Sequence, residues 1–349
     1  MPLVVIDVEK YKSRWVILTG QGNEIERHIP VLLQPVLAAL TPLAGAKVID
    51  GTFGAGGYTR ALLDAGADVI ALDRDPQAIR EGQSLVDQFF PRLRLVQTEF
   101  SRLDCIVKEK VDAIILDIGV SSMQLDEAER GFSFRKDGPL DMRMAQTGFT
   151  ASDVINCLRV NELSRIFRIL GEERHADRIA RMIEKRRCIR PFLRTCDLAN
   201  AVEVLIGRKP DDRIHPATRV FQALRIYVND ELGELARGLF AAEKVLKAGG
   251  RLGVVSFHSL EDRIVKRFFS ARSGGGGKSR YLPEKQSNPV TFLPLFKGVK
   301  TANEEELQKN PRARSAKLRV GVRTQEDAIK AGIELFNLTE ITSFKGSKK

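Results

Sequence analysis

The stretch Val48-Ile-Asp-Gly-Thr-Phe-Gly-Ala-Gly-Gly-Tyr-Thr59 restricts this chain to few folds. A short apolar run, Ala46 to Ile49, reads as a buried strand that ends at Asp50. Gly51, Gly54, Gly56 and Gly57 make a turn, and a helical pattern opens at Thr59-Arg-Ala-Leu-Leu. Strand, glycine turn and helix form the first half of a doubly wound nucleotide site. Such a turn lets the backbone approach a ligand with no Cβ in the way. The helix N-terminus then offers free N–H groups to a polar or anionic part of that ligand.

The details of the turn shift the class of ligand. The fingerprint G-x-G-x-x-G/A, begun at Gly54, needs Gly or Ala at position 59, where Thr59 stands. Asp50 before the glycines suits a cationic cofactor better than a pyrophosphate, and S-adenosylmethionine carries an ammonium and a sulfonium. The second strand, Ala67 to Asp73, ends in an acid able to accept both ribose hydroxyls; a helix follows from Pro76 to about Gln88. After a third strand, Leu93 to Gln97, Phe100 either stacks on an adenine or packs in the core. The fourth strand, Val111 to Asp117, again ends in an acid. Its following loop lies at the carboxyl edge of the sheet, where such folds place their chemistry. Asp117 therefore faces the reactive end of the cofactor.

Beyond this half the pattern turns helical, from Thr150 to about Arg208, with a capping box at Thr150-Ala-Ser-Asp153. A helix from His215 runs to Leu246, with a break expected at Gly233, and Arg251 to Phe257 forms the fifth strand. His258-Ser-Leu-Glu-Asp-Arg263 leaves that strand, again at the carboxyl edge. Ser273 to Arg280 reads as a flexible linker, and Asn310 to Val320 turns into a last strand. An all-helical block thus interrupts an α/β domain.

The net charge of +11 favours a polyanionic partner, RNA or DNA first. Arg174, Arg178, Arg181 and Lys185 share one helical face, either a solvated face or a track for a nucleic-acid backbone. Arg130, Arg135, Arg143, Arg219 and Arg225 are further candidates for RNA contact. Cys105, Cys157, Cys188 and Cys196 form no CxxC pair and read as reduced cytosolic thiols, with no metal site expected. No apolar run approaches the roughly 20 residues needed to span a bilayer. The N-terminus, carrying Asp7, Glu9, Glu24 and Glu26, resembles neither a secretion signal nor a transit peptide, so a cytoplasmic location is expected.

Several unusual stretches occur together and in order. They are His28-Ile-Pro-Val-Leu-Leu, Asp50-Gly-Thr-Phe-Gly-Ala-Gly-Gly, Asp117-Ile-Gly-Val-Ser-Ser, Glu129-Arg-Gly-Phe-Ser-Phe and Gly138-Pro-Leu-Asp-Met-Arg-Met. Thr218-Arg-Val-Phe-Gln-Ala-Leu-Arg-Ile, Ser256-Phe-His-Ser-Leu-Glu-Asp-Arg and Asn310-Pro-Arg-Ala-Arg-Ser complete the set. Over residues 27 to 322 the chain resembles the bacterial 16S ribosomal RNA cytosine-N4 methyltransferase family, the RsmH (MraW) type. The resemblance implies a class I S-adenosylmethionine-dependent methyltransferase, a Rossmann-like doubly wound α/β sheet with an all-helical insertion. The core would comprise 27–128 and 232–322, with the insertion at 129–231 for RNA recognition, an extension at 1–26 and a tail at 323–349.

The resemblance also implies methyl transfer to N4 of a cytosine in the P-site region of the 30S subunit. It carries the cofactor residues over to Gly56, Gly57, Tyr58, Asp73, Phe100, Asp117 and Gln124. Tyr58 is a departure, since His is common there: a contact through the backbone survives the change, and one needing an imidazole does not. Many amino-methyltransferases carry D/N/S-P-P-Y/F after the fourth strand, where this chain has Asp117-Ile-Gly-Val. The stacking aromatic is therefore missing from that loop, and Phe132, Phe134 or Phe257 is expected to replace it. Asp117 is the candidate acceptor for the amino group, and His258 with Glu261 the candidate for proton removal. A nicotinamide-dependent oxidoreductase, a non-catalytic RNA-binding scaffold and a DNA cytosine-N4 methyltransferase are the competing readings.

Overall fold

The computed structural model describes residues 30–208, 212, 214–274, 289–329, 332–336 and 338. The expected N-terminal extension, linker residues 275–280 and the tail from Ser343 lie outside the described residues. Seven strands form one sheet: β1 (Lys47–Asp50), β2 (Asp68–Asp73), β3 (Leu93–Gln97), β4 (Val111–Asp117), β5 (Leu246–Ser256), β6 (Phe292–Pro294) and β7 (Lys317–Arg323). Their spatial order is β3-β2-β1-β4-β5-β7-β6. β1 to β5 pair in parallel, and β7 runs antiparallel to both β5 and β6. This is the class I S-adenosylmethionine-dependent methyltransferase fold that the resemblance implied.

A parallel sheet covered on both faces needs nearly continuous apolar strands, which β4 supplies as Val-Asp-Ala-Ile-Ile-Leu-Asp. Side chains alternate between faces: Ile114 and Leu116 enter one buried cluster, Ala113 and Ile115 the other. The second cluster lies under the helices Leu33–Leu40 and Gly57–Asp64. The first continues through the helix Glu231–Val245 into the helices Ala151–Cys157, Val160–Leu170, Ala176–Arg187, Thr195–Ile206 and Thr218–Asn229. The helical block therefore shares its core with one face of the sheet. Its expected capping box is present, with Thr150 and Asp153 exchanging side-chain and backbone bonds.

Three elements differ from expectation. The helix from Pro76 divides into Pro76–Glu81 and Gln83–Phe89, because Gly82 between them weakens the helix and packs directly on Phe53 and Leu95. The long helix after His215 breaks at Asp230, not at Gly233. Asp230 takes a left-handed conformation (φ 46°), and its carboxylate lies where a Cβ on Gly233 would stand. β5 begins at Leu246, which pairs with Val111, and the short edge strand β6 had no sequence signal. Pro294 is tolerated there because an edge strand has ladder positions that need no donor. Among the described residues, no helix is long and apolar enough to cross a membrane, and all four cysteines are free.

Candidate active site

The cleft opens at the carboxyl ends of β1 and β4, where the strand order reverses. Its floor is the turn after β1. Asp50 is fully buried, and its two oxygens accept from Thr52 N (3.1 Å) and Thr59 Oγ1 (2.7 Å). Asp50 thus holds the turn in shape and does not face the ligand, contrary to its expected electrostatic role. Thr59, the departure from the dinucleotide fingerprint, is its buried partner.

Burial lifts the Asp50 carboxyl to about 6, against the opposing bonds from the two threonines. The folded chain therefore retains a proton that the unfolded chain has released, between the ordinary carboxylate range and about pH 6. Stability falls as pH rises through that window, by about 3 kcal/mol in full. Asp50→Asn keeps both bonds, since its amide oxygen accepts and its NH2 donates to Thr59. It is expected to flatten this part of the stability profile, read from urea midpoints between pH 4 and 7. An unchanged slope would assign the proton to another group.

Of the residues carried over by resemblance, Gly57, Tyr58, Asp73, Phe100, Asp117 and Gln124 line the cleft. Gly56 does not. Its φ of 78° turns the chain, and a Cβ there would press on the ring of Phe53, which itself lines the cleft. The helix Gly57–Asp64 has no side-chain cap at its N-terminus, which leaves its first N–H groups for a ligand. Tyr58 is buried and donates its hydroxyl to the Val31 carbonyl, so its backbone is the part left for a ligand. Asp73 accepts from Gly54 N (2.7 Å) and Asp75 N (2.8 Å), one bond on each oxygen. Each oxygen keeps a lone pair, which suits a ribose diol. Burial raises its carboxyl above the usual range. Phe100 packs its ring against Gly238, as the core alternative expects, and it also borders the cleft.

Gln124 is buried and committed at both ends of its amide. Its Nε2 donates to Asp75 Oδ2 (2.9 Å), and its Oε1 accepts from Ser121 N (3.2 Å). It fastens the loop after β4 to the loop after β2. At the centre stands Asp117. Its backbone N–H donates to Thr52 Oγ1 (2.7 Å), whereas its Oδ1 is buried with no hydrogen-bond partner. Burial, and then the neighbouring Asp50 and Glu261, hold its carboxyl well above the usual range.

His258 is not among the cleft-lining residues. Its Nδ1 accepts from Glu261 N as the N-cap of the helix Ser259–Arg272, and its Nε2 stands 3.0 Å from Glu261 Oε1. Both ring nitrogens face Glu261, which places His258 in the support of the site. Glu261 is fully buried; burial pushes its carboxyl up, but His258, Arg225 and the Phe257 N–H outweigh this and hold it below its ordinary value. Glu231, His258 and Glu261 bring ligand atoms within 4.8 Å of one another, the one such cluster among the described residues. Arg225 already binds Glu231 through two bonds of 2.8 and 2.9 Å, so a guanidinium supplies the positive charge there.

The arginine candidates divide. Arg130 pairs with buried Asp75 (2.8 Å), Arg143 with Asp141 (2.7 Å) and Arg225 with Glu231. For Arg130 and Arg225 the guanidinium is taken by a buried carboxylate, whereas the Arg143–Asp141 pair is about a quarter exposed on each side. Arg135 and Arg219 are exposed, as are Arg174, Arg178, Arg181 and Lys185. Of the three aromatic candidates, Phe132 is buried in the core and Phe134 packs on His215 and Phe221 at 4.6 and 4.8 Å. Only Phe257 lines the cleft. Sequence reasoning missed Thr52, Met144 and Glu231, and it placed no part of the cleft at Asn310 or Arg312. The Asn-Pro-Arg motif was the one signal that could have brought in the last two.

Comparison with known proteins places the whole chain among relatives. The model of the MraW methylase family matches residues 25–324. A protein of Bartonella henselae (strain Houston 1) called Ribosomal RNA small subunit methyltransferase H is 77% identical over 346 residues, 99% of this chain and 100% of that protein. One of the same name from Brucella anthropi is 61% identical over 328 residues, 92% of this chain and 94% of that protein. With the family model matched over most of its length and such high identity to these relatives, the chain belongs to the MraW methylase family.

Proposed function

We propose that this protein methylates the N4 amino group of a cytosine in the P-site region of 16S ribosomal RNA, in the small ribosomal subunit. Ribosomal RNA of the small subunit is the substrate class carried by the names of its relatives, and S-adenosylmethionine is the methyl donor. The observation that carries the finer reading is the unpartnered, buried Asp117 Oδ1 at the end of β4. The cleft also fits the cofactor by its donor set: an uncapped helix N-terminus for a carboxylate, and Asp73 lone pairs for ribose hydroxyls.

When bound, S-adenosylmethionine supplies an electrophilic methyl on a sulfonium. The amino nitrogen of cytosine is a poor nucleophile because its lone pair is delocalised into the ring. Asp117 Oδ1 accepts one amino N–H, which turns the lone pair out of conjugation. Orienting that nitrogen toward the electrophilic carbon before reaction would supply much of the acceleration. After transfer the nitrogen sheds a proton toward Asp117, whose burial makes it a better acceptor than an exposed carboxylate. Of the candidate cations, Arg135, Arg219 and the 174–185 stripe are exposed and can meet phosphates. A target deep in folded RNA is unstacked before it enters.

The test is methyl transfer from labelled S-adenosylmethionine to 30S subunits lacking the modification, with digestion and mass analysis of the RNA. N4-methylcytidine in the P-site region is the expected product. Methylation at another atom or region would sink the finer reading. Tight cofactor binding with no transfer to any RNA would favour a non-catalytic scaffold.

A further inference from the structure

We infer that Phe257, at the exit of β5, supplies the aromatic face on which the target base stacks, in place of an aromatic in the loop after β4. The inference rests on the methyltransferase reading above. β4 and β5 are neighbours with Asp117 in register with Val255, and Ile118 N donates to Val255 O (2.9 Å). Phe257 therefore leaves the sheet beside the loop that follows Asp117, and both line the cleft. The two sides fit each other. Gly119 adopts φ 131°, and a Cβ there would stand 3.2 Å from Phe257 Cδ2. A side chain at position 119 would push the ring away; glycine lets it lie against the loop.

The backbone that carries the ring is also anchored. Glu261 Oε2 accepts from Phe257 N (2.8 Å) and His258 N (3.2 Å), and Glu261 in turn sits in the His258, Arg225 and Glu231 network. That buried cluster thereby fixes the backbone of Phe257 beside Asp117. A carboxylate acceptor and a flat apolar face on adjacent strand ends suit a planar heterocycle with an exocyclic amine. A pyrimidine base swung out of its stack has that chemistry.

The test compares Phe257→Leu and Phe257→Tyr with the wild type in methyl transfer to unmodified 30S subunits. S-adenosylhomocysteine affinity and thermal unfolding are measured beside it. Phe257→Leu is expected to lower kcat/KM for the subunit by roughly tenfold to a hundredfold. Phe257→Tyr should restore most of it, and cofactor affinity should stay within about twofold for both, since the stacking partner is the base. Leucine transferring as well as phenylalanine would overturn the inference. So would a parallel loss of cofactor affinity, which would make Phe257 part of the cofactor's wall. Absence of transfer by the wild type itself would instead overturn the methyltransferase reading, and this inference with it.

Discussion

Asp117→Asn is expected to lower methyl transfer by roughly a hundredfold or more while leaving the fold intact, since the side-chain volume is conserved and positioning of the nucleophile is what is lost. The amide can present its NH2 where an acceptor is needed, and it cannot take up a proton. The same substitution has a second readout. Burial, and then the neighbouring Asp50 and Glu261, hold Asp117 well above the ordinary carboxylate range before a cofactor binds. A cofactor carrying a sulfonium and an ammonium favours the ionised form, so the carboxyl value falls on binding. Binding then releases a proton, and affinity rises with pH between the bound and the free value. Calorimetry in buffers of different ionisation enthalpy should show that release for the wild type and not for Asp117→Asn. Equal proton release from both would move the titrating group elsewhere.

Arg130→Ala is expected to cost about 3–5 kcal/mol of stability, the usual result of leaving one partner of a buried ion pair alone. The side chains of Arg130 and Asp75 are only 11% and 4% exposed. Arg130 also donates to the carbonyls of Arg143 and Met144 and to Gln77 Oε1, at 3.1 to 3.2 Å. Asp75 holds Gln124, and Met144 lines the cleft, so the loss should weaken cofactor binding too. In a double-mutant cycle, Asp75→Asn should recover part of the loss of Arg130→Ala, because no bare carboxylate remains. Urea midpoints of the four proteins decide it. A loss below about 0.5 kcal/mol, typical of an exposed arginine, would mean that the pair is open to water.

Both predictions turn on charges, and charges show where sequence reading ran out. Nothing in the sequence separated Arg130, Arg143 and Arg225 from Arg135 and Arg219, since each was an arginine within or beside a motif and no partner was visible. Their partners decide their roles, and Asp75 lies far from Arg130 along the chain. The long helix after His215 misled in a similar way. Gly233 was the visible breaker, but the break came at Asp230, whose carboxylate fills the space above that glycine and binds Arg237.

What the sequence determined by itself was the β1 to β4 half of the sheet, the turn after β1, and the acids Asp73 and Asp117 at strand ends. Those signals are local: apolar runs make buried strands, glycines make the turn, and a strand's last residue stands at the sheet edge. Only the tertiary structure decided that Asp50 faces inward and that His258 caps a helix. It also decided that Phe257, not Phe132 or Phe134, reaches the cleft, and that Asn310 and Arg312 return to it. Those outcomes depend on which distant segments exclude water from one another. Burial of a charge or a ring is a property of the packed whole, and no window of sequence contains it.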